Sequence, residues 1–172
     1  TSTISVAPGD TTLWVPCLDL NWENGPILYP GTGLLTLNST MQAAVREVRI
    51  GQRAEIPEDA THGRRRLNSA GANVQMPADV AFTSDGTMAY LPCSFSNDVL
   101  KINTDTNPPT TLLEIPVGDY PFGIVISPTA DRAYVSNFLS RDVTVINTLT
   151  DAVVDTIPVT QETLSANILN GK

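Results

Sequence analysis

The chain has 172 residues, a formal net charge of −8 at pH 7 and 16% charged residues, whereas a quarter is typical of globular domains. The acidic balance argues against a nucleic-acid-binding face, which needs clustered Lys and Arg. No run of 18 apolar residues is present to span a membrane. Abundant Thr, Asn, Ser, Pro and Val lead us to expect an extracytoplasmic protein, either periplasmic or secreted. Since Thr1 is not an initiator Met, we expect a processed product or an excised piece.

The first segment, residues 1–51, reads as a degenerate unit of short strands. Thr3–Cys17 and Leu34–Asn38 match strand-forming stretches of the later repeats described below, which favours strands here too. Val48–Gly51 closes the unit. Residues 18–33 lie between these runs, and we expect them to form a long loop.

The second segment, residues 52–76, is polar and basic at its centre. Its length and polarity predict an inserted surface loop, within which Glu58–Leu67 is compatible with a short helix. Arg64, Arg65 and Arg66 stand in a row here, and His62 is the single histidine of the chain.

The next two segments, residues 77–118 and 119–160, are copies of each other. Pro77–Asn103 aligns with Pro121–Asn147 without a gap at an offset of 121 − 77 = 44 residues. Each copy holds four short Val- and Ile-rich runs separated by turn signals, which predicts a four-stranded meander of the size of one propeller blade. Residues 161–172 leave the repeat at the point where the insertion 52–76 begins, so we expect the start of a second excursion.

The first segment is a third, more divergent copy. Trp14 takes the place of Tyr90 and Tyr134, and Cys17 falls opposite Cys93. The fold expected is therefore all-β, a partial β-propeller of about three four-stranded antiparallel blades. Propellers close with roughly four to eight blades, so three blades stay open unless other residues or chains complete them, and open blade faces would be apolar.

Two stretches of the copy at residues 119–160 resemble a known repeat family. Tyr134–Asn137 and Val143–Asn147 resemble the Tyr-Val-x-Asn and Val-x-Val-Ile-Asn strands of the YVTN-type β-propeller repeat. Tyr90–Cys93 departs from that pattern at its last position. The resemblance covers nearly the whole chain and implies a propeller of the seven-bladed type. It implies no activity, because the residues that the family shares are structural.

A second resemblance concerns the end of the chain. Ile168–Lys172 is similar to the stretch that leaves a blade in propellers joined to di-haem cytochrome c peroxidase or MauG-like domains. This resemblance implies haem c on a neighbouring domain or subunit, and a c-type cytochrome as partner. The chain has no Cys-x-x-Cys-His, so it attaches no haem itself, and no other cofactor is expected.

The cysteines and the histidine are weak candidates for a metal site. Cys17 and Cys93 occupy equivalent points of neighbouring blades, so they are either a thiol pair or soft-metal site, or two separate thiols at strand ends. Equivalent atoms of adjacent blades lie roughly 10 Å apart, which is too far for an unstrained disulfide. His62 is either solvated or a ligand completed from elsewhere.

Two further groups are candidates for binding. Arg64–Arg66 could contact an anion or an acidic partner, or simply be solvated. Four residues lie on the inter-strand loops through which propellers bind ligands: Asp119, Tyr120, Asn137 and Arg141. No catalytic set is evident, since a Ser/His/Asp arrangement could use only the one histidine.

Three functions follow from this reading. The leading one is a non-catalytic extracytoplasmic propeller segment that acts as a scaffold or protein-interaction surface. Its partners would be other propeller blades, from the same longer polypeptide or from other subunits. The alternatives are the propeller portion of a haem-dependent, di-haem peroxidase-like or MauG-like oxidoreductase, and a lactonase-like propeller hydrolase.

Overall fold

The computed structural model describes residues 4–7, 12–20, 41–49, 54–55, 64–66, 76–106 and 110–160, with single residues at 163, 165 and 168. Across these ranges the thirteen elements are all β-strands. They form three antiparallel sheets, which follow one another along the chain. The protein is therefore an open, partial β-propeller, as the sequence predicted.

The first sheet, blade 1, is built from the N-terminal third of the chain. Its strands are β1 (Ser5–Val6), β2 (Thr12–Leu20), β3 (Met41–Arg49), β4 (Ala54–Glu55) and β5 (Arg64–Arg66). Their order is β1-β2-β3-β4, and β5 also pairs with β3. Blade 1 thus has a long central hairpin, β2–β3, with short strands on either side.

The third strand of blade 1 lies later in the chain than the sequence predicted. Trp14 pairs with Glu47 as Tyr90 pairs with Lys101, so β3 takes the place expected for Leu34–Asn38, which lies outside the described residues. The loop expected over 18–33 also differs, because residues 18–20 extend β2. The connection between β2 and β3 therefore spans residues 21–40.

The segment expected to be a polar loop, 52–76, contributes strands to blade 1. Arg49 pairs with Ala54, and Val45 pairs with Arg65. The part of the expected helix that is described, Arg64–Arg66, is thus a strand. An unpaired strand edge recruits backbone partners, and the free edge of β3 overrides the local sequence preference here.

The second and third sheets, blades 2 and 3, repeat one plan. The strands of blade 2 are β6 (Ala81–Phe82), β7 (Met88–Cys93), β8 (Asp98–Asn103) and β9 (Thr110–Pro116), and those of blade 3 are β10 (Pro121–Ile126), β11 (Arg132–Asn137), β12 (Asp142–Asn147) and β13 (Ala152–Pro158). Each is a four-stranded meander in chain order. In both, the pairing of the last two strands shifts at the same point, beside Ile102 and Ile146.

Backbone conformation repeats as closely as the pairing does. Left-handed residues occur 44 positions apart in three pairs: Met76 and Tyr120, Gly86 and Ala130, Asn97 and Arg141. Five of these six are not glycine, so their conformation is unfavourable for an isolated residue. Turn hydrogen bonds hold it: Asn97 N–H donates to the carbonyl of Cys93 at 3.1 Å, and Arg141 N–H donates to that of Asn137 at 2.9 Å.

Each blade has two faces that the period-2 alternation of its strands separates. We call the side toward the preceding blade the rear face and the side toward the following blade the forward face. The rear face of blade 2 packs on the forward face of blade 1 in one cluster: Trp14, Val45, Val80, Phe82, Ala89, Leu91, Cys93, Leu100 and Ile102. The forward face of blade 2 packs on the rear face of blade 3 in another: Met88, Tyr90, Val99, Ile115, Val117, Ile124, Ile126, Ala133, Val135 and Ile146. The core is thus made between blades.

Candidate interaction surface

The forward face of blade 2 shows how a blade is covered by its successor. Tyr90 is 1% exposed, and its hydroxyl lies 3.5 Å from the carbonyl oxygen of Thr148 in blade 3. Lys101 Nζ donates to both carboxylate oxygens of Asp151 in blade 3, at 2.7 and 2.8 Å. The Lys101 ammonium also lies 5.9 Å from the centre of the Tyr90 ring. Apolar packing and one ion pair therefore join the two blades.

The connection that enters blade 3 adds backbone contacts at the loop end. Ser94 Oγ donates to the carbonyl of Pro121 at 2.7 Å. The amide of Asn97 bridges two residues of the connection, since its Nδ2 donates to Asp119 at 3.1 Å and its Oδ1 accepts from Tyr120 N–H at 2.9 Å. Blade 2 thus holds the chain that follows it by side-chain contacts to three consecutive residues.

The forward face of blade 3 keeps four of the five apolar positions of blade 2, with Arg132 in the place of Met88, but has no described blade upon it. Tyr134 is 37% exposed, against 1% for its counterpart Tyr90, and Ile157 is 45% exposed, against 4% for Ile115. Val159, the counterpart of Val117, is 63% exposed. Large apolar side chains in one contiguous exposed patch mark an interaction site on a soluble protein.

A groove with a volume of about 420 Å³ opens at the loop end of this face. It is lined by Phe122, Ser136, Asn137, Phe138, Leu139, Arg141, Asp142, Val143, Val159 and Thr160. The counterparts of these residues in blade 2 include Ser94, Phe95 and Asn97, which contact the connection into blade 3. By position, the groove is the seat for the entering strand of a further blade.

The four residues that the sequence placed on loops lie close together, but Asn137 is the last residue of β11 and pairs with Asp142, so its placement on a loop was wrong. The carbonyl of Asp119 accepts from Leu139 N–H at 3.1 Å, and Asp119 N–H donates to Ser140 Oγ at 3.0 Å. The carbonyl of Tyr120 accepts from Phe138 N–H at 2.9 Å. These bonds fasten the entry of blade 3 to its β11–β12 turn, where Arg141 lies. A binding role for the four residues stays a prediction.

Asn137 is buried and hydrogen-bonded within blade 3. It is 2% exposed, and its Nδ2 donates to Asp142 at 2.6 Å and to Thr144 Oγ1 at 2.8 Å. Its Oδ1 is the one buried side-chain polar atom without a hydrogen-bond partner among the described residues. A Cβ added to Gly118 would lie 2.6 Å from Nδ2, so Asn137 packs directly on the chain that leaves blade 2.

An aromatic cluster at the loop end was not predicted. Tyr120 lies between Phe95 and Phe138, with ring centres 6.0 and 6.1 Å away. Phe95 is 60% exposed and Phe138 is 71% exposed. The signal in the sequence was a phenylalanine within each polar turn, where an apolar residue has no local reason to stand.

The cysteines behave as separate side chains. No disulfide joins Cys17 and Cys93 in the structure. Cys93 is fully buried, and burial, with smaller contributions from Asp98 and Glu114, raises the pKa of its thiol far above the usual range. A thiol with so high a pKa is unreactive at neutral pH. In the part of the chain that the structure describes, no three potential ligands gather to hold a metal ion.

The basic run and the histidine stay predictions. Arg64–Arg66 form β5 along the edge of blade 1, which places the run in a sheet and not in a loop. His62 lies outside the described residues, and so does most of the tail 161–172. No helix in the described ranges is long and apolar enough to cross a membrane.

Three carboxylates have shifted pKa values: two are lowered and one is raised. Hydrogen bonds from Thr83 and Thr87 lower the pKa of Asp85, and hydrogen bonds from Thr129 and Ser127 lower that of Asp131. Burial, followed by the nearby charge of Glu114, raises the pKa of Asp98. The lowered pair stabilises tight turns, whereas Asp98 is a partly buried carboxylate at the loop end of blade 2.

No model of a protein family and no curated protein matches this chain. Solved structures do resemble it. Hydrazine synthase of Kuenenia stuttgartiensis is 22% identical with a TM-score of 0.57, and the match covers 89% of this chain and 34% of that one. U3-55K is 13% identical with a TM-score of 0.62, covering 92% and 39%. A protein from Lactobacillus plantarum is 14% identical with a TM-score of 0.57, covering 94% and 56%.

These likenesses concern the fold. The chain spans between about a third and just over half of the length of each of these three structures. At such low identity, fold similarity does not carry activity from one protein to another. Blades that repeat in sequence and in backbone, together with these matches, establish a partial β-propeller.

Proposed function

We propose that this chain is a non-catalytic, extracytoplasmic propeller segment that acts as a scaffold by binding further blades through its open faces. The observation that carries the proposal is the comparison of two equivalent faces. Tyr90 and Ile115 are buried by the following blade. Their counterparts in blade 3, Tyr134 and Ile157, are the same residue types but are exposed to solvent. Exposing such a face costs about 25 cal/mol for each Å² of apolar surface, which favours a partner that covers it.

The use of the polar loop residues supports a structural role. Asn97 donates to the carboxylate of Asp119 and accepts from the backbone N–H of Tyr120. Asn137 is buried against Asp142 and Thr144. Groups engaged in this way fix the geometry of a scaffold. The described residues supply no specific feature that favours the peroxidase-like or lactonase-like alternatives.

We also propose that the repeat is of the YVTN type. Residues 134–137 form the core of β11, and the side chain of Asn137 packs against the chain leaving the preceding blade. Such a contact gives the Asn of the pattern a structural reason. The counterpart of Asn137 in blade 2 is Cys93. Its small apolar side chain lies on the same side of its strand, in the core between blades 1 and 2.

Sedimentation velocity tests the scaffold proposal. We expect the wild-type chain to associate as its concentration rises, and Ile157→Asp to reduce that association because it places a charge on the forward face of blade 3. Leu149→Asp is the matched control, since Leu149 is 80% exposed on a turn. A wild-type chain that stays monomeric and compact at all concentrations would refute the need for a covering partner.

A further inference from the structure

The rear face of blade 1 repeats the rear face of blade 2. Its residues are Ile4, Val6, Leu13, Val15 and Cys17, and their counterparts 76 positions later are Val80, Phe82, Ala89, Leu91 and Cys93. Those five counterparts all belong to the core between blades 1 and 2. The rear face of blade 1 is therefore apolar at each position where a rear face is used for packing.

This rear face is open in the described structure. Ser5 Oγ donates to the carbonyl of Val80 at 2.6 Å, so Ser5 points to blade 2 and its neighbours in the strand point the other way. Those neighbours, Ile4 and Val6, are 60% and 52% exposed. Leu13, Val15 and Cys17 on the same face are half-buried. The described blades thus present two different open faces, one rear and one forward.

We propose that each open face is covered by the other face of a second copy of this chain, so that two chains close one six-blade ring. This inference rests on the proposed function and names the partner. A rear face and a forward face on one molecule form a heterologous pair, which makes a ring when the rotation closes and a filament when it does not. Six blades lie within the range of four to eight in which propellers close, and differ from the seven that the family resemblance implies.

The polar positions of the forward face favour such a partner over another blade like blade 3. Blade 2 anchors blade 3 through Asp79, Ser94, Asn97 and Lys101, and the residues at these positions in blade 3 are Gly123, Phe138, Arg141 and Val145.

A blade like blade 3 would bring an aspartate, the counterpart of Asp151, against Val145. A buried carboxylate without its cation costs several kcal/mol. The forward face of blade 3 thus selects a rear face on which apolar contacts carry the packing. The five side chains on the rear face of blade 1 are of this kind.

The contact between Gly118 and Asn137 supplies a site for a test. A Cβ on Gly118 would lie within 2.8 Å of the Asn137 side chain in the next blade. The counterparts of these two residues at the open ends are Thr160 and Cys17. In a ring of two chains, Thr160 of one copy therefore lies beside Cys17 of the other.

The experiment is disulfide trapping in the full chain with Thr160→Cys. Under mild oxidation we expect a crosslinked species of two chains on a non-reducing gel, and light scattering at the mass of two 18.4 kDa chains. Adding Cys17→Ser should abolish the crosslink, and Leu149→Cys, on an exposed turn, should not form one with Cys17. Cys93 is buried and stays in all variants.

The outcomes separate this inference from the function on which it rests. Two-chain particles with the crosslink between Cys17 and the thiol introduced at position 160 support the ring. Particles of other size, or association without that crosslink, overturn the ring but leave the scaffold role. A chain that never associates overturns both. Reduced crosslinking on adding Ile157→Asp is expected for the ring and not for random collision.

Discussion

Tyr90 and Tyr134 occupy the same position in consecutive blades, yet the first is 1% exposed and the second 37%. Both follow an alanine, and both sit in the second strand of a meander. The difference is blade 3, which covers Tyr90 and accepts its hydroxyl at the carbonyl of Thr148. Burial in this fold is therefore decided by the neighbouring blade and not by the local sequence.

Truncating the two tyrosines should have unequal effects. Tyr90→Ala leaves a cavity between blades and should lower the free energy of unfolding by about 3–5 kcal/mol. Tyr134→Ala removes a side chain that is partly in solvent and should cost about 1 kcal/mol or less. Urea unfolding at a concentration at which the chain is monomeric compares them, and equal losses would contradict the assignment of the two faces.

The sequence predicted the fold well where one copy could be compared with another. The gapless 44-residue offset located blades 2 and 3, and their turn at Gly86 recurs at Ala130 with the same left-handed backbone. In blade 1 the comparison failed, because Leu34–Asn38 resembles Val99–Asn103 in composition. Pairing along the nine-residue β2 selects Met41–Arg49 as its partner, and pairing depends on tertiary contacts that composition does not contain.

The interaction surface was predicted in part for a similar reason. Asp119 could be placed beside the blade entry because loop positions follow from strand positions, whereas Asn137 ends β11 and is buried. Phe95 and Phe138 were missed, because their role depends on Tyr120 lying between them across two blades. Arg64–Arg66 have little preference for strands and pair only because β3 offers an edge.

The ion pair between Lys101 and Asp151 should contribute measurably to the packing of blades 2 and 3. Its side chains are 13% and 25% exposed, and the closer distance is 2.7 Å. Lys101→Met keeps the aliphatic stem and leaves the carboxylate without its cation, so we expect a loss on the order of 1–3 kcal/mol. A double-mutant cycle with Asp151→Asn isolates the coupling energy.

A matched control is the contact between Asp131 and Arg132. It spans 3.6 Å between side chains that are 45% and 35% exposed. An exposed pair of this kind contributes roughly 0–1 kcal/mol, so its coupling should be smaller than that of Lys101 and Asp151. Coupling of equal size in the two cycles would mean that the inter-blade pair is as solvated as a surface pair.

Adding one methyl group at Gly118 should loosen the junction of blades 2 and 3. The new Cβ would lie 2.5 Å from Ser140 Oγ and 2.6 Å from Asn137 Nδ2, and Asn137 cannot withdraw easily because it is buried. Overpacking of this kind costs typically about 1–3 kcal/mol. Thermal unfolding of Gly118→Ala should show the loss.

Gly123→Ala, in the first strand of blade 3, provides the comparison. There a Cβ meets Ser136 Oγ at 3.1 Å and Asp79 Oδ2 at 3.8 Å, so a small movement of the serine relieves the contact. Its melting temperature should stay closer to that of the wild type. A larger loss at Gly123 than at Gly118 would show that the junction has room that the distances do not indicate.

The contribution of Asp131 to the free energy of unfolding should depend on pH. Hydrogen bonds, first from Thr129, hold the pKa of Asp131 below its ordinary value of 3.8. A carboxyl group with a lowered pKa in the folded state contributes stability above the ordinary value, and that contribution disappears as the pH falls through the lowered one. Asp131→Asn should therefore be less stable than the wild type at pH 7, with a difference that shrinks in strong acid.

Asp98 should show the opposite dependence. Burial raises its pKa above the ordinary value of 3.8, and the charge of Glu114 adds to the shift. Folding then favours the protonated form, so the stability that this group contributes in acid is lost as the pH rises from the ordinary value through the raised one. Asp98→Asn should be more stable than the wild type at neutral pH and equal to it well below pH 3.8. Urea unfolding of Asp98→Asn and Asp131→Asn across this pH range measures both stability changes. Changes of the same sign at pH 7 would contradict the raised pKa of Asp98 and its partial burial.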